Sequence, residues 1–333
     1  MSNCAKTQKQ QPHTLLDGGE TSSEGVYRNQ FLHDVWQGLS CADKYIHCKY
    51  LYDDHGSVLF DKISQLDEYY PTRTELEILA TNASAMSHCV GQNAVIVELG
   101  SGSSHKTRLL LDHLLAPTAY LPVDISREHL LRTARLLAAE YPTLKVEPIV
   151  ADFTSRFEIP SPYADQNIVV YFPGSTIGNL TIPEAMNLLH SVVNLEPAGI
   201  GLLIGIDLVK DKDVLERAYN DSEGISARFN LNLLTRANRE LDANFDLRFF
   251  KHIAFYNEKH SRIEIYLESS RDQKVSVGSR CFDFRAGERI HTEYSHKYTL
   301  PQFSEMARTA GLETVEYWTD PQQYFAVMYL TAH

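Results

Sequence analysis

The sequence lacks any cluster of Lys and Arg, and its formal net charge is −12. A duplex-binding domain normally presents a basic face, so nucleic acid is not an expected partner. No uncharged apolar run is long enough to span a bilayer, and the polar start of the chain lacks the apolar region of a signal peptide. These absences favour a cytoplasmic protein without a membrane partner, which we expect to be a monomer, with residues 1–25 as a flexible leader.

Cysteines are few and scattered in this chain. They are Cys4, Cys41, Cys48, Cys89 and Cys281. Their number is odd, and no pair has the C-x-x-C spacing, so neither a disulfide framework nor a structural zinc site is expected. Reduced thiols are the ordinary interpretation, and no other cluster of metal-ligand residues is visible. We therefore predict no metal site.

Short apolar strands alternate with helical segments through the middle of the chain. The predicted strands are 94–99, 119–124, 145–150, 167–172 and 201–207. This alternation is typical of parallel βαβ units and predicts a doubly wound α/β sheet. Near the C-terminus, a helix at 301–310 precedes strands at 314–318 and 324–331. These two strands are close enough in sequence to pair as an antiparallel hairpin.

Two other parts of the chain do not follow the alternation. Residues 27–50 are predicted to be helical, and Pro71 is predicted to end any preceding helix, with Thr74 capping a helix that begins at Glu75. Residues 211–300 mix helices with strands of period-two patterning, such as the one in which Ile263, Ile265 and Leu267 share a face. This region is predicted to be an inserted α+β subdomain, joined by residues 27–70.

A glycine-rich turn follows the first strand of the alternating region. Glu98-Leu-Gly-Ser-Gly-Ser-Ser-His105 contains Gly100 and Gly102, which allow the backbone to approach a nucleotide closely. Asp124 ends the next strand, where a carboxylate can accept hydrogen bonds from ribose hydroxyls. A dinucleotide fingerprint would need a third glycine where the chain has His105, which disfavours that class.

The third strand of the region ends in Asp152 and Phe153. An Asp followed by an aromatic residue can bind the amino group of an adenine and pack against its ring. Each such feature has an ordinary explanation: glycines serve tight turns, Asp caps helices, and Phe fills cores. However, ligand-type residues at the carboxyl ends of three successive parallel strands indicate a nucleotide site, because open α/β sheets bind ligands there.

Several longer motifs carry a closer resemblance, which runs from about residue 30 to the C-terminus. These motifs are Glu68-Tyr-Tyr-Pro-Thr-Arg-Thr-Glu75, Val97-Glu-Leu-Gly-Ser-Gly102 with Lys106-Thr-Arg108, Gly174-Ser-Thr-Ile-Gly-Asn-Leu180, Asp207-Leu-Val-Lys-Asp211, Arg217-Ala-Tyr219, Asn238-Arg-Glu-Leu241 and Thr292-Glu-Tyr-Ser295. In these motifs the chain resembles the histidine-specific Nα-methyltransferases of ergothioneine biosynthesis. They are long and occur in the family's order, so the resemblance is specific.

The resemblance implies an S-adenosylmethionine-dependent enzyme that methylates the α-amino group of L-histidine three times, giving hercynine. It implies a class I, Rossmann-like methyltransferase domain at 73–210 and 297–333, and an inserted substrate-binding domain at 26–72 and 211–296. The residues that it places at S-adenosylmethionine are Gly100, Lys106, Asp124, Asp152 and Phe153.

The resemblance also implies roles in substrate binding. Tyr69, Asn179 and Tyr219 would hold the substrate carboxylate, and Tyr52 would lie near the α-amino group, where it is the candidate for guiding a proton away. The loop that contains Gly174 follows the fourth strand, where class I methyltransferases approach the acceptor atom. The imidazole ring would contact Glu293 and Ser295, and Ile265 would line the pocket.

Elementary chemistry agrees with these roles. Glu293 and Ser295 are two apart on a predicted strand and therefore share a face, where a carboxylate and a hydroxyl can bind the two ring nitrogens. From the residues alone, a solvent-facing strand with Glu293 paired to Lys297 is the favoured arrangement, and only the family resemblance reverses this preference. Neutral Tyr and Asn donors suit a zwitterionic amino acid, because they bind its carboxylate without repelling its ammonium.

One position departs from the family pattern. Members that act on histidine commonly have Met where this chain has Ile265, and a branched side chain changes the shape of a pocket. The same fold and chemistry acting on another amino acid or amine is therefore the first alternative. A Rossmann oxidoreductase, and a binding protein that retains the cofactor pocket without catalysis, are the others.

Overall fold

The computed structural model describes residues 23–102, 105–155, 157–163, 166–195 and 200–332. The predicted leader lies outside the described residues as far as residue 22. Helix α1 spans Ser23–Leu39, so the last residues assigned to the leader are already helical.

The largest sheet contains eight strands in two groups, one near the middle of the chain and one at its end. They are β2 (Val95–Leu99), β3 (Ala119–Asp124), β4 (Lys145–Val146), β5 (Ile149–Val150), β6 (Ile168–Phe172), β7 (Gly201–Asp207), β13 (Leu312–Thr319) and β14 (Phe325–Ala332). The spatial order is β13-β14-β7-β6-β2-β3-β4, and β5 also pairs with β3. All pairs are parallel except those of β14, which runs antiparallel to β7 and β13. The predicted class I α/β sheet with a closing antiparallel hairpin is confirmed.

Helices cover both faces of this sheet. They are α3 (Tyr70–Val90), α4 (His105–Leu111) and α5 (Arg127–Glu140) on one face, and α6 (Ile182–Val193) and α9 (Leu300–Thr309) on the other. Strand β2 contributes Ile96 to the first core, and Val95 and Val97 to the second. A strand buried on both faces has consecutive apolar residues rather than an alternating pattern, as Val95-Ile-Val97 of β2 does.

A second set of elements forms a separate core. It contains α1, α2 (Asp54–Ile63), α7 (Lys212–Tyr219), α8 (Ile225–Glu240), β1 (Lys44–Tyr45), β8 (Phe250–Asn257), β9 (Arg262–Ser269), β10 (Gln273–Val277), β11 (Arg280–Phe284) and β12 (Arg289–His296). Strands β1, β12, β9 and β8 form one sheet in that order, and β10 pairs with β11. The exact limits of the two predicted domains stay a prediction. Within the described part of the chain, no helix is both long and apolar enough to cross a membrane.

Two local predictions were wrong. Residues 27–50 are not one helix, because α1 ends at Leu39 and is followed by β1 and a short 3-10 helix at Cys48–Leu51. Pro71 does not separate two elements but lies in the first turn of α3, and Thr74 is inside that helix rather than at its cap. Proline is tolerated there because the first N–H groups of a helix have no intrahelical partner.

Helix α1 approaches β1 so closely that only glycine fits between them. A Cβ atom at Gly38 would lie 2.0 Å from the carbonyl oxygen of Tyr45, which is backbone and cannot rotate away. Tyr45 is itself fixed by its parallel pairing with His291. This contact ties the N-terminal elements to the second sheet.

We therefore predict that Gly38→Ala destabilises the protein by about 1–3 kcal/mol, although alanine is the better helix former. The measurement is the free energy of unfolding from urea denaturation. Gln37→Ala, at an exposed position of the same helix, is the control and should change the free energy by no more than about 0.5 kcal/mol. A Gly38→Ala variant as stable as the parent would contradict the close approach.

Candidate active site

One cleft lies where the second core meets the carboxyl edge of the large sheet. It encloses about 730 Å³ of space, including its opening to solvent. All eight of the predicted substrate-binding residues line it: Tyr52, Tyr69, Gly174, Asn179, Tyr219, Ile265, Glu293 and Ser295. They come from separate elements along the chain, so the fold brings together a set that the sequence separates.

Strand β12 supplies two of these side chains from one face. Glu293 lies opposite Ile265, and Ser295 lies opposite Ile263, in the antiparallel pairing of β12 with β9. Both side chains are buried, at 8% and 5% exposure, so the solvent-facing arrangement is wrong. The register shifts between His291 and Glu293, which is a β-bulge.

The carboxyl group of Glu293 has an unusual environment. Burial raises the pKa of Glu293 to about 8, although the positive charge of Lys297 acts in the opposite direction. The Asn179 side-chain amide donates to Glu293 Oε1 at 3.0 Å. A carboxyl group with this pKa changes between donor and acceptor near neutral pH, which suits it to bind a ring whose nitrogens also titrate.

The hydroxyl of Ser295 belongs to a buried polar cluster. It lies 2.7 Å from the hydroxyl of Tyr219, and Lys297 Nζ donates to both hydroxyl oxygens. Lys297 Nζ also donates to Asp207 Oδ2 at 2.7 Å. Burial alone would raise the pKa of Asp207, but Lys210 and Lys297 hold it below its ordinary value. The sequence-based alternative that paired Lys297 with Glu293 is therefore wrong.

Aromatic rings form the wall of the cleft opposite β12. Tyr52 packs edge-on against Phe60 and Phe229, with ring centroids 5.6 and 5.3 Å apart. Tyr69 packs in the same way against Phe60 and Tyr219. Burial raises the pKa values of Tyr52, Tyr69 and Tyr219 well above their ordinary value. These phenols are therefore neutral and can both donate and accept hydrogen bonds.

The glycine turn after β2 forms a cradle beside this cleft. Gly100 and Gly102 have φ values of 70° and 37°, in the left-handed region that favours glycine. A Cβ atom at Gly100 would project to 3.6 Å from the ring of Phe153, so the absent side chain leaves space bordered by that ring. Glu98 of β2 connects the two sides of the turn, because its carboxyl group accepts a hydrogen bond from Thr107 Oγ1 of α4 at 2.6 Å.

Two strand-end carboxylates lie on this side of the sheet and are connected to the segment that carries Tyr52, Asp124 through Ser126 and Asp152 directly through Lys49. Asp124 ends β3 and accepts from the backbone N–H of Ser126, whose hydroxyl donates to the carbonyl of Tyr52 at 3.2 Å. Asp152 lies 3.5 Å from Lys49 Nζ. An open cradle, an aromatic face and carboxylates for ribose and adenine fit a bound S-adenosylmethionine.

Lys106, the fifth residue predicted at the cofactor, connects the cradle to the cleft. Its Nζ lies 2.5 Å from Glu75 Oε2, and Glu75 is 1% exposed. Both carboxylate oxygens of Glu75 also accept from the backbone N–H of Gly174 at 3.0 Å. Glu75 therefore fixes the loop after β6 relative to the start of α4.

The sequence did not indicate that Glu75, Asp207 or Lys297 supports the site, and Lys297 was considered only as a surface partner of Glu293. A signal for Glu75 existed, because it lies one helical turn before Ile78 and Leu79 on the buried face of α3. A charge at such a position needs a partner. A signal for Asp207 existed too, because it ends β7. Asp124 and Asp152 were predicted to be site residues because they lie at the carboxyl ends of parallel strands. No local pattern indicates the pairing of Asp207 with Lys297.

The raised pKa of Glu293 gives a prediction for stability. A carboxyl group whose pKa rises from 4.5 to about 8 on folding favours the folded state only while it is protonated. Its contribution is therefore lost as pH rises from about 4.5 to 8. We expect Glu293→Gln to be more stable than the parent by roughly 2–4 kcal/mol above pH 8 and equal to it near pH 4.

Glu264 is the matched control on the neighbouring strand. Burial would raise its pKa, but hydrogen bonds from Tyr266 and Arg262 hold it below the ordinary value. The ionised Glu264 carboxylate therefore stabilises the folded state above its pKa in the unfolded chain, and this stabilisation is lost as pH falls. Glu264→Gln should therefore destabilise the protein at pH 8. Urea denaturation of both variants between pH 4 and 9 measures the difference. Loss of stability in Glu293→Gln at pH 8 would exclude the raised pKa.

Comparison with known proteins agrees with this geometry. Residues 31–332 match the family described as histidine-specific methyltransferase, SAM-dependent. The chain is 40% identical to the histidine N-alpha-methyltransferase of Mycolicibacterium smegmatis, over 88% of this chain and 92% of that protein. It is also 40% identical to that of Mycobacterium tuberculosis, over 86% and 90%. It is 31% identical to ergothioneine biosynthesis protein 1 of Neurospora crassa, over 82% of this chain and 32% of that protein. The chain belongs to the family of S-adenosylmethionine-dependent, histidine-specific methyltransferases.

Proposed function

We propose that this enzyme transfers three methyl groups from S-adenosylmethionine to the α-amino nitrogen of L-histidine, giving hercynine. The observation that carries the proposal is the cleft itself, in which every predicted substrate residue faces the same space beside the glycine cradle. We further expect a cytoplasmic monomer without nucleic acid or membrane partners, and of these expectations the net charge of −12 supports the absence of a nucleic-acid partner.

The groups that line the cleft suit the two ends of an amino acid. Tyr69, Asn179 and Tyr219 offer neutral donors to the substrate carboxylate. Glu293 and Ser295 offer an acidic group and a hydroxyl to the imidazole nitrogens. A substrate without ring nitrogens would leave these buried groups unpaired, which is how a site rejects such analogues most strongly.

Ile265 limits the space available to the ring. It is 5% exposed and lies directly opposite Glu293 across the β9–β12 pair. A branched side chain has few rotamers, so this wall is stiff. We propose that Ile265 packs against the imidazole while Glu293 orients it.

S-adenosylmethionine, when bound, supplies a sulfonium methyl group that is already activated for in-line displacement. Gly100, Lys106, Asp124, Asp152 and Phe153 would hold it. The protein therefore has to position the amine and leave its lone pair free. The loop at Gly174, fixed by Glu75, sets where the acceptor nitrogen can lie. Transfer stops at the third methyl group, because a quaternary ammonium has no lone pair.

The amine must lose a proton before each transfer. A chain-terminal α-amino group has a pKa of roughly 7.7–8.0, and that of a free amino acid is higher. A neighbouring positive charge and burial both disfavour the ammonium. Tyr52 stays neutral because burial raises its pKa, so its oxygen can accept a hydrogen bond from the ammonium and guide the departing proton to water.

The substrate assignment is tested by a mass-spectrometric time course. L-histidine should gain up to three methyl groups, whereas L-tryptophan, L-phenylalanine and L-tyrosine should remain unmodified. Glu293→Ala is the accompanying variant, and its KM for histidine should rise roughly 10- to 100-fold while its KM for S-adenosylmethionine stays unchanged. Methylation of another amino acid in preference to histidine would overturn the assignment.

The role of Tyr52 is tested by Tyr52→Phe. We expect kcat to fall by about 100-fold and the pH dependence of kcat to change, because the ammonium loses the hydrogen-bond acceptor that guides its proton towards water. Tyr45→Phe, earlier in the same segment and outside the cleft, is the control and should behave as the parent enzyme. An unchanged rate and pH profile in Tyr52→Phe would exclude this role.

A further inference from the structure

Lys297 is a buried cation that the reaction as described does not use. Its side chain is 0% exposed. Its Nζ donates to Asp207 Oδ2 at 2.7 Å, to Ser295 Oγ at 2.6 Å and to Tyr219 OH at 3.0 Å. All three of these partners line the substrate cleft, and two of them, Tyr219 and Ser295, carry hydroxyl groups.

The donors and acceptors in this cluster can be counted. An ammonium has three N–H donors and no acceptor, and all three N–H groups have partners here. Each hydroxyl oxygen therefore accepts from Lys297 and must direct its own hydrogen elsewhere. Ser295 Oγ and Tyr219 OH lie 2.7 Å apart, so one of their hydrogens is shared between them. A single hydroxyl hydrogen is left for the cleft.

The two lysines of the cluster have different surroundings. Asp207 pairs through Oδ1 with Lys210 at 2.6 Å and through Oδ2 with Lys297 at 2.7 Å. Two lysines share this carboxylate, and the buried acid Asp320 also acts on Lys210. Lys210 contacts neither hydroxyl, because its other partners are Tyr70 and the carbonyl of Leu208. The cation that contacts the hydroxyl pair is therefore Lys297.

We propose that Lys297 is a positioning residue that sets the direction of the Tyr219 and Ser295 hydroxyls for substrate binding. The proposal rests on the substrate orientation given above. A carboxylate only accepts, so the free hydrogen is that of Tyr219, aimed at the substrate carboxylate. Ser295 then donates to Tyr219 and presents its remaining lone pair to a ring N–H. Lys297 thereby determines how the hydroxyls bind the carboxylate and the imidazole of the amino acid, although it contacts neither group itself.

The first test compares Lys297→Met with Lys210→Met. Both variants remove a buried lysine from the same carboxylate and keep most of the side-chain volume. Lys297→Met should raise the KM for L-histidine, and its Kd by calorimetry, about 10- to 100-fold, while the KM for S-adenosylmethionine changes less than about threefold. Lys210→Met should change neither constant by more than about threefold, although both variants should unfold at lower temperature.

The second test is a double-mutant cycle, which separates positioning from support of the fold. In a Tyr219→Phe/Ser295→Ala background, Lys297→Met should change the Kd for L-histidine by less than about threefold, because the hydroxyls through which it acts are gone. Equal effects of the two lysine variants on the parent enzyme, or an undiminished effect of Lys297→Met in this background, would overturn the proposal.

The test remains decisive if Lys297→Met does not fold. Tyr219→Phe and Ser295→Ala alone keep the lysine, and the shared hydrogen requires their effects on the Kd for L-histidine to be non-additive. Additive effects would overturn the proposal. Failure of the proposed function would look different, because the parent enzyme itself would then neither bind nor methylate L-histidine.

Discussion

The carboxylate of Asp207 is the interaction on which the site depends most. It lies at the end of β7, and its side-chain partners are Lys210, three residues later, and the distant Tyr70 and Lys297. Removing a charge from water is costly unless it is paired and hydrogen-bonded, and here each oxygen has a cationic partner. Tyr70 begins α3 and Lys297 follows β12, so this carboxylate joins the large sheet to the segment that carries Glu293.

Glu75 makes the corresponding connection on the cofactor side. It holds Lys106 at the start of α4 and Gly174 at the end of β6. A Cβ atom at Gly205 would lie 2.3 Å from Glu75 Oε1, so the strand leaves room for this carboxylate. Two buried acids thus set the distance between donor and acceptor sites. In-line transfer tolerates little error in that distance, and buried pairs with several hydrogen bonds are well suited to maintain it.

The sequence was sufficient for the parts that depend on local patterns. Buried strands, the turn at Gly100 and the closing hairpin were predicted because apolar periodicity and glycine requirements are encoded within a few neighbouring residues. The role of Pro71 was missed because a proline that stops one helix and a proline that starts another have the same local sequence. The pairing of Lys297 with Asp207 could not be predicted, because it joins residues 90 positions apart. The family motifs named the residues of the cleft, but not what holds them.

The bulge in β12, beside Glu293, is another feature that local sequence patterns could not predict. Before it, Ile290 lies opposite Leu267, and after it Glu293 lies opposite Ile265, so the face that carries even-numbered residues changes to odd-numbered ones. Since side chains alternate along a strand, one inserted residue transfers the following side chains to the other face. Thr292 is that residue, and its hydroxyl donates to the carbonyl of Ile265 at 3.2 Å. The sequence predicts that Glu293 and Ser295 share a face of the strand. The bulge determines that this face lines the cleft.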